Sequence, residues 1–171
     1  INQLITMPLS GICQGGQPLI SYNYGAKKLR RVREAFFCQF GVCVAYTTVF
    51  WGVLMCCPDF FAGIFTNDAA LVGYTAWAIR VFLACGFSVG FQISCQQAFM
   101  ALGQAKISLV MALLRKVILL IPLIFLLPNF FEAKAFAVFL AEPVSDLIAA
   151  TVTTAMFFRF FRRMLKKGQA N

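Results

Sequence analysis

The chain has 171 residues, of which 61% are hydrophobic and 12% are charged, and its mean hydropathy is +0.81. A soluble domain of this length could not bury so much apolar surface, so the composition excludes an ordinary soluble globular protein. The net charge of +9 does not indicate nucleic-acid binding, because the basic residues gather at the ends of apolar stretches. With no histidine and no metal-site spacing among the seven cysteines, we expect no enzyme, no catalytic residues, no metal site and no cofactor.

Five apolar stretches, each long enough to cross a bilayer, follow one another along the chain. A helix rises about 1.5 Å per residue, so roughly 20 residues cross a hydrocarbon core of about 30 Å. We therefore predict an all-α membrane protein, with a helical bundle at 1–158 and a basic cytoplasmic tail at 159–171. The predicted spans cover about 1–24, 35–57, 81–102, 107–127 and 135–158.

The charges between these stretches predict the orientation of the bundle. Basic clusters at 27–33 and 159–167, together with Lys106, mark the side expected in the cytoplasm, whereas the opposite joints are mainly acidic. The protein is then a multi-pass protein of the cytoplasmic membrane whose first residue lies outside and whose C-terminus lies inside. Because the chain starts with Ile1 and an outside start is unusual, we expect at least one further span upstream.

Amide side chains lie in two of the predicted spans. Gln14 and Gln17 are three residues apart and share one helix face, and Asn23 follows near the end of that span. Gln92 and Gln96 are four apart and also share a face. These amides can hydrogen-bond across helices or bind substrate along a solvated path, and the sequence leaves both interpretations open.

Glycine and proline residues modify the first stretch. Gly11 and Gly15 form a small-xxx-small pair, which predicts close approach of another helix. Pro18 cannot donate to the carbonyl of Gln14. A freed carbonyl in lipid needs a partner, so this helix should be buried in protein or line a wet cavity.

The apolar pattern at 69–102 is too long for one crossing, since a helix of that length would reach about 50 Å. We predict an interfacial helix or helical extension at 69–79 and a span at 81–102. Arg80 then lies at the outer boundary, where it either reaches lipid headgroups or faces a central cavity.

The last two stretches form a predicted helical hairpin that turns near residue 131. Arg115 and Asp146 lie at nearly equal distances from the turn, so we predict that they pair, with Lys116 as a competitor. Pairing is expected because a lone charge at that depth costs several kcal/mol. Glu142 shares a helix face with Asp146, and such carboxylates can hold Na⁺ or a proton. Structural and coupling roles both remain open for Arg115, Glu142 and Asp146.

Three sequence motifs follow one another in order along the chain. They are GICQGGQPLISYNYGAKKLRRVREA at 11–35, QQAFMALGQAKISLVMALLRKVILLIPLIFLLP at 96–128 and EPVSD at 142–146. Together they resemble the signatures of the multidrug and toxic compound extrusion (MATE) family. The resemblance covers essentially the whole chain.

The resemblance implies a two-lobe, twelve-helix transporter, of which this chain would be an incomplete C-terminal portion containing the eighth to twelfth spans. It implies Na⁺- or H⁺-coupled antiport that exports cationic or amphipathic organic compounds and drugs. The implied partners are membrane lipids, the missing N-terminal lobe and small organic cations. Some members bind a cation through an acidic residue on the tenth span. The corresponding stretch at 81–102 has none, which points to coupling in the missing lobe.

Two other functions stay open from the sequence. A lipid-linked sugar flippase of the same superfamily would need cations to hold a diphosphate, and Arg80, Arg115 and Lys116 are candidates. A non-transporting membrane scaffold or channel subunit is the other alternative. Efflux of a fluorescent cation would separate transport from a scaffold, and binding of a lipid diphosphate would favour the flippase.

Overall fold

The computed structural model describes residues 2–64, 68–129 and 134–169, and in these ranges the chain forms helices and turns without any strand. The predicted all-α fold is confirmed. The expected hairpin tip near residue 131 lies outside the described residues. The helices are α1 (Asn2–Gly25), α2 (Leu29–Cys56), α3 (Pro58–Gly63), α4 (Ala69–Phe82), α5 (Ser88–Ala101), α6 (Ala105–Leu113), α7 (Ile121–Leu126) and α8 (Lys134–Gln169), with a π-helical segment at Leu114–Leu120 and a 3₁₀ turn at Leu127–Asn129.

Three helical stretches in the described ranges are long and apolar enough to cross a membrane, namely Leu29–Cys56, Ala105–Leu126 and Phe136–Lys166. In the most apolar 18-residue segment of Ala105–Leu126, only 6% of the residues are buried. Nearly all of its apolar side chains therefore face outward. Such a surface is stable in lipid and unfavourable in water. Helix α1 is also long, but its glycines and amides lower its hydropathy, and α4 and α5 are each short. That all five stretches cross the bilayer stays a prediction.

A turn interrupts the helix within the predicted span at 81–102. Helix α4 continues through Phe82, a turn occupies 83–87, and α5 begins at Ser88. The Trp51 indole of α2 donates to the Leu83 carbonyl at 2.8 Å and so satisfies a backbone acceptor at the turn. A Cβ on Gly86 would lie 2.9 Å from Trp51 Cδ1, so only glycine lets the turn pack against this ring.

Helices α4 and α5 run in succession along α8, in the same direction. The Phe82 and Phe139 rings lie 6.3 Å apart, and the Phe99 and Phe157 rings lie 5.0 Å apart. The turn at 83–87 therefore borders the middle of α8.

In the described part of the chain, three hydrophobic clusters form the core, two at opposite ends of the bundle and a third between them that consists of Leu9, Cys13, Cys43 and Val89. At the basic end, α1, α2, α5 and α8 contribute a cluster that includes Phe36, Phe99, Phe157 and Phe161. At the other end, α1 to α4 and the turn at 83–87 contribute a second cluster. The second cluster consists of Ile5, Leu54, Ala62, Ile79 and Leu83.

The close approach between α1 and α2 occurs at Gly16 rather than at the predicted pair. A Cβ on Gly16 would clash with the Gln39 Oε1 atom, whereas Gly11 and Gly15 have no such neighbour among the described residues. Gly11 and Gly15 meet no other helix among the described residues, so their role in helix contact stays a prediction. Helix α1 carries small residues on more than one face, and its rotation decides which glycine meets α2.

Candidate functional site

Four charged side chains form a cluster between α8 and the π-helical segment. Arg115 Nε donates to Asp146 Oδ1 at 2.5 Å, which confirms the predicted pair. Lys116 Nζ donates to Glu142 Oε1 at 2.9 Å, so Lys116 has its own partner and does not compete for Asp146. Arg115 Nη2 also lies 3.8 Å from Glu142 Oε1 and links the two pairs. The cluster holds two positive and two negative groups and is formally neutral.

The side chains of the cluster differ in how much of their surface is exposed. The side chains of Arg115 and Asp146 are 16% and 10% exposed, whereas that of Lys116 is 55% exposed. The Glu142 side chain is 11% exposed, so Arg115, Asp146 and Glu142 form the enclosed part of the cluster. Lys116 lies at its open side. Removing one partner of an enclosed pair leaves an uncompensated charge, which costs about 3–5 kcal/mol.

The backbone at Leu114–Leu120 explains why two consecutive cations both reach α8. A π turn contains more residues than an α turn, so Arg115 and Lys116 diverge less around the helix axis than α-helical neighbours do. Pro122 lacks the N–H group that would bond the Ile118 carbonyl. The regular pattern of backbone hydrogen bonds is therefore interrupted just after this segment. Such π segments occur frequently at functional sites.

The turn between α4 and α5 lies beside the same cluster. The Phe82 ring, immediately before the turn, lies 6.3 Å from the ring of Phe139, which is one helical turn before Glu142. Interrupted helices next to intramembrane carboxylates are the usual construction of ion sites in secondary transporters. The site therefore combines a helix break, a π segment and four ionisable groups.

The five amides predicted to bind substrate lie in different surroundings. Gln14 is exposed and Gln17 is half-buried on α1. Asn23 is buried and donates to the Leu19 carbonyl of its own helix at 2.8 Å. Gln92 is 1% exposed, and Gln96 donates to the Ser108 carbonyl at 3.3 Å. Their role in substrate binding stays a prediction; Gln14 is the exposed member, and Gln17 and Gln96 are half-buried.

The exposed face of α1 combines apolar, aromatic and amide groups. Met7 is 70% exposed and Tyr22 is 74% exposed, and Gln14 lies between them on the same helix face. Gly11 and Gly15 lie on this side, which keeps the backbone open to a neighbouring group. Apolar surface with a few polar groups is typical of sites for organic molecules.

Two buried polar residues between α1, α2 and α5 were not among the predicted site residues. Gln39 is 6% exposed and Ser94 is fully buried. Neither amide atom of Gln39 nor the Ser94 hydroxyl has a hydrogen-bond partner among the described residues. The available signal was that Gln39 is an amide inside an otherwise apolar stretch of α2, a type of position that is rare in lipid-facing helices.

The sequence was compared with family models and with curated proteins. The MatE family model matches residues 1–126. The Multidrug export protein MepA of Staphylococcus saprophyticus subsp. saprophyticus is 27% identical over 152 residues, which cover 84% of this chain and 32% of the relative. MepA of Staphylococcus aureus strain NCTC 8325 is 26% identical over 148 residues with the same coverage. The chain thus spans about a third of the length of the curated relatives it matches.

Solved transporter structures share this fold. The MATE multidrug transporter DinF-BH, solved as a complex, is 31% identical with a TM-score of 0.83 and is matched over 92% of this chain and 35% of its own. MATE in the bent conformation gives a TM-score of 0.91 at 14% identity, over 98% of this chain and 37% of its own, and so supports the fold alone. The family match over residues 1–126, the MATE fold and the apolar helices agree. This chain therefore belongs to the MatE family of membrane transporters.

Proposed function

We propose that this chain supplies the C-terminal lobe of a Na⁺- or H⁺-coupled antiporter that exports cationic or amphipathic organic compounds across the cytoplasmic membrane. Family membership supports the transporter class. The names of the relatives, which are multidrug export proteins, support the class of cargo. DinF-BH is likewise described as a multidrug transporter, which is in line with the same class of cargo.

The proposed coupling to Na⁺ or H⁺ is based on the four-charge cluster. Arg115 lies between two carboxylates, since it is bonded to Asp146 and is 3.8 Å from Glu142, and the Arg115–Asp146 pair is enclosed. A proton arriving at Asp146 removes its attraction for Arg115, and a Na⁺ ion at the same oxygen competes with the guanidinium. Either event releases Arg115 from α8, so the packing of α8 against the π-helical segment depends on the coupling ion.

The exposed face of α1 is the proposed substrate surface. Tyr22 offers a ring face to an organic cation, Met7 offers adaptable apolar contact, and Gln14 offers one polar group. Substrate would bind between this face and a second lobe, and alternating access would follow from movement of one lobe against the other.

The flippase alternative is less well supported by the site. A lipid diphosphate needs unpaired cations, whereas Arg115 and Lys116 each have a carboxylate partner. Arg80 is exposed at the last turn of α4 and is distant in sequence from the cluster.

The test uses the full-length gene product in proteoliposomes that contain ethidium as a lipophilic cation. An imposed H⁺ or Na⁺ gradient should drive ethidium transport, and Asp146→Asn should reduce the gradient-driven rate at least about tenfold. The matched control is Asp59→Asn, which removes an exposed carboxylate from the first turn of α3 and should leave the rate unchanged. Equal transport with and without either gradient would refute the proposed coupling, and no transport at all would favour a scaffold.

A further inference from the structure

A basic concavity of about 850 Å³ lies at the joint between α1 and α2. Its lining also contains Glu34, but Arg30 already bonds this carboxylate at 3.0 Å. The concavity therefore keeps a large excess of positive charge. The basic side chains that line it are Lys27, Lys28, Arg30, Arg31 and Arg33.

The backbone contributes further to this positive charge. Helix α2 starts at Leu29, has no side-chain cap at Lys28 and has no acidic residue in its first turn. The first N–H groups of an uncapped helix lack intrahelical acceptors, and the helix dipole adds partial positive charge there. The first turn of α2 lines the concavity, so these groups add to the attraction for an anion.

Apolar side chains complete the lining and distinguish the concavity from a site for a soluble anion. These are Leu29, Phe37 and Leu165, and the Phe37 side chain is 45% exposed. The Arg33 guanidinium lies 5.9 Å from the Phe37 ring centre, so charge and apolar surface are adjacent. Because α2 is long and apolar enough to span the membrane, its basic end should lie at the headgroup level and Phe37 should lie deeper.

We propose that this concavity is a binding site for the phosphate headgroup of an anionic phospholipid, with its acyl chains against Phe37 and Leu165. A pocket of several basic residues next to a membrane-spanning helix is the arrangement that recognises acidic lipid headgroups. The bound lipid would join the α1–α2 turn to the end of α8, since Leu165 belongs to α8. This proposal depends on the membrane location of the chain and is independent of the transported substrate.

The experiment measures lipid binding to the delipidated full-length gene product in detergent by native mass spectrometry. The probes are phosphatidylglycerol, phosphatidylcholine and inorganic phosphate. The double variant Lys28→Gln/Arg31→Gln should lower the affinity for phosphatidylglycerol about tenfold or more, because each basic residue near an anionic lipid contributes roughly a fivefold factor. The matched control Lys106→Gln/Arg159→Gln removes the same charge from exposed residues outside the lining and should change the affinity less than about twofold.

Three results would overturn the proposal. One is equal affinity for phosphatidylglycerol and phosphatidylcholine, and another is an equal loss in the control variant, which would indicate surface charge alone. Competition by inorganic phosphate at the concentration of the lipid would indicate a site for a soluble anion. A second pair, Lys27→Gln/Arg33→Gln, replaces the first if that variant fails to fold, and it should show the same selective loss.

Discussion

The Tyr46 hydroxyl of α2 donates a hydrogen bond of 2.9 Å to the backbone carbonyl of Leu4 in α1. In a regular helix the N–H group four residues later would bond this carbonyl, but that position is Pro8, which has none. The side chain of one helix thus satisfies the acceptor that a proline leaves free in its neighbour. Unsatisfied backbone groups are costly in lipid, so this bond allows a proline inside α1.

Replacing Tyr46 with phenylalanine should therefore destabilise the protein by about 1 kcal/mol, the usual size of an interhelical side-chain bond in a membrane protein. The same substitution should cost less when Pro8 is alanine, since the Leu4 carbonyl then regains a backbone donor. The free energy of unfolding in mixed detergent micelles measures both effects. An equal loss in the two backgrounds would contradict this explanation.

The two ion pairs should differ in their contribution to stability. Asp146→Asn leaves the enclosed Arg115 without its charged partner and should lower the free energy of unfolding by about 3 kcal/mol or more. Lys116→Gln removes a half-exposed cation and should cost about 0–1 kcal/mol. Thermal unfolding of both variants in detergent provides the comparison. A larger loss for Lys116→Gln would reverse the proposed order of burial.

Neighbouring glycines in α1 should respond differently to the same substitution. Gly16→Ala would drive a methyl group into Gln39 Oε1 and should destabilise the protein by about 1–3 kcal/mol. Gly15→Ala meets open space in this chain and should be neutral or slightly stabilising, because alanine favours a helix.

Truncation of the clashing amide provides a control for this interpretation. In a Gln39→Ala background, Gly16→Ala should lose most of its effect, as measured by unfolding in detergent. A persistent loss would assign the effect to the backbone of α1 instead of its contact with α2.

Thiol labelling tests the proposed orientation. Cys57 is exposed at the end of α2 opposite to the basic cluster, so a membrane-impermeant maleimide added to intact cells should label it. A cysteine introduced at Lys106 in a Cys56→Ser/Cys57→Ser background should react only after the membrane is made permeable. The buried Cys13 and Cys95 should react only on unfolding. Labelling of the Lys106→Cys variant in intact cells would invert the topology.

The Arg115–Asp146 pair was predictable because the two arms of a helical hairpin share one rise per residue. Depth from the turn then follows from counting, and the cost of a lone intramembrane charge selects the pairing. The Lys116–Glu142 pair needs one more piece of information. It depends on the widened turn at Leu114–Leu120, whose position is decided by packing against α8 and not by a local sequence pattern.

The break between α4 and α5 was not predictable for a similar reason. The residues at 83–87 are mostly apolar and include no proline, so the local pattern continues through them. The donor that stabilises the turn comes from Trp51, which is 32 residues away from Leu83. Likewise, whether Gly16 or Gly15 contacts α2 depends on the rotation of α1 about its axis. Small residues lie on more than one face of α1, so the sequence does not determine this rotation.

Helix α4 belongs to the cluster around Leu54, and α5 belongs to the cluster around Phe36 at the other end of the bundle. Between them the backbone bonds of the 83–87 turn span three residues instead of four, as from the Gly86 N–H group to the Leu83 carbonyl and from the Ser88 N–H group to the Cys85 carbonyl. A bend between α4 and α5 would therefore disturb fewer regular helix bonds than a bend in α2, which runs unbroken through both clusters. A gate that opens towards one side of a membrane requires this kind of local flexibility.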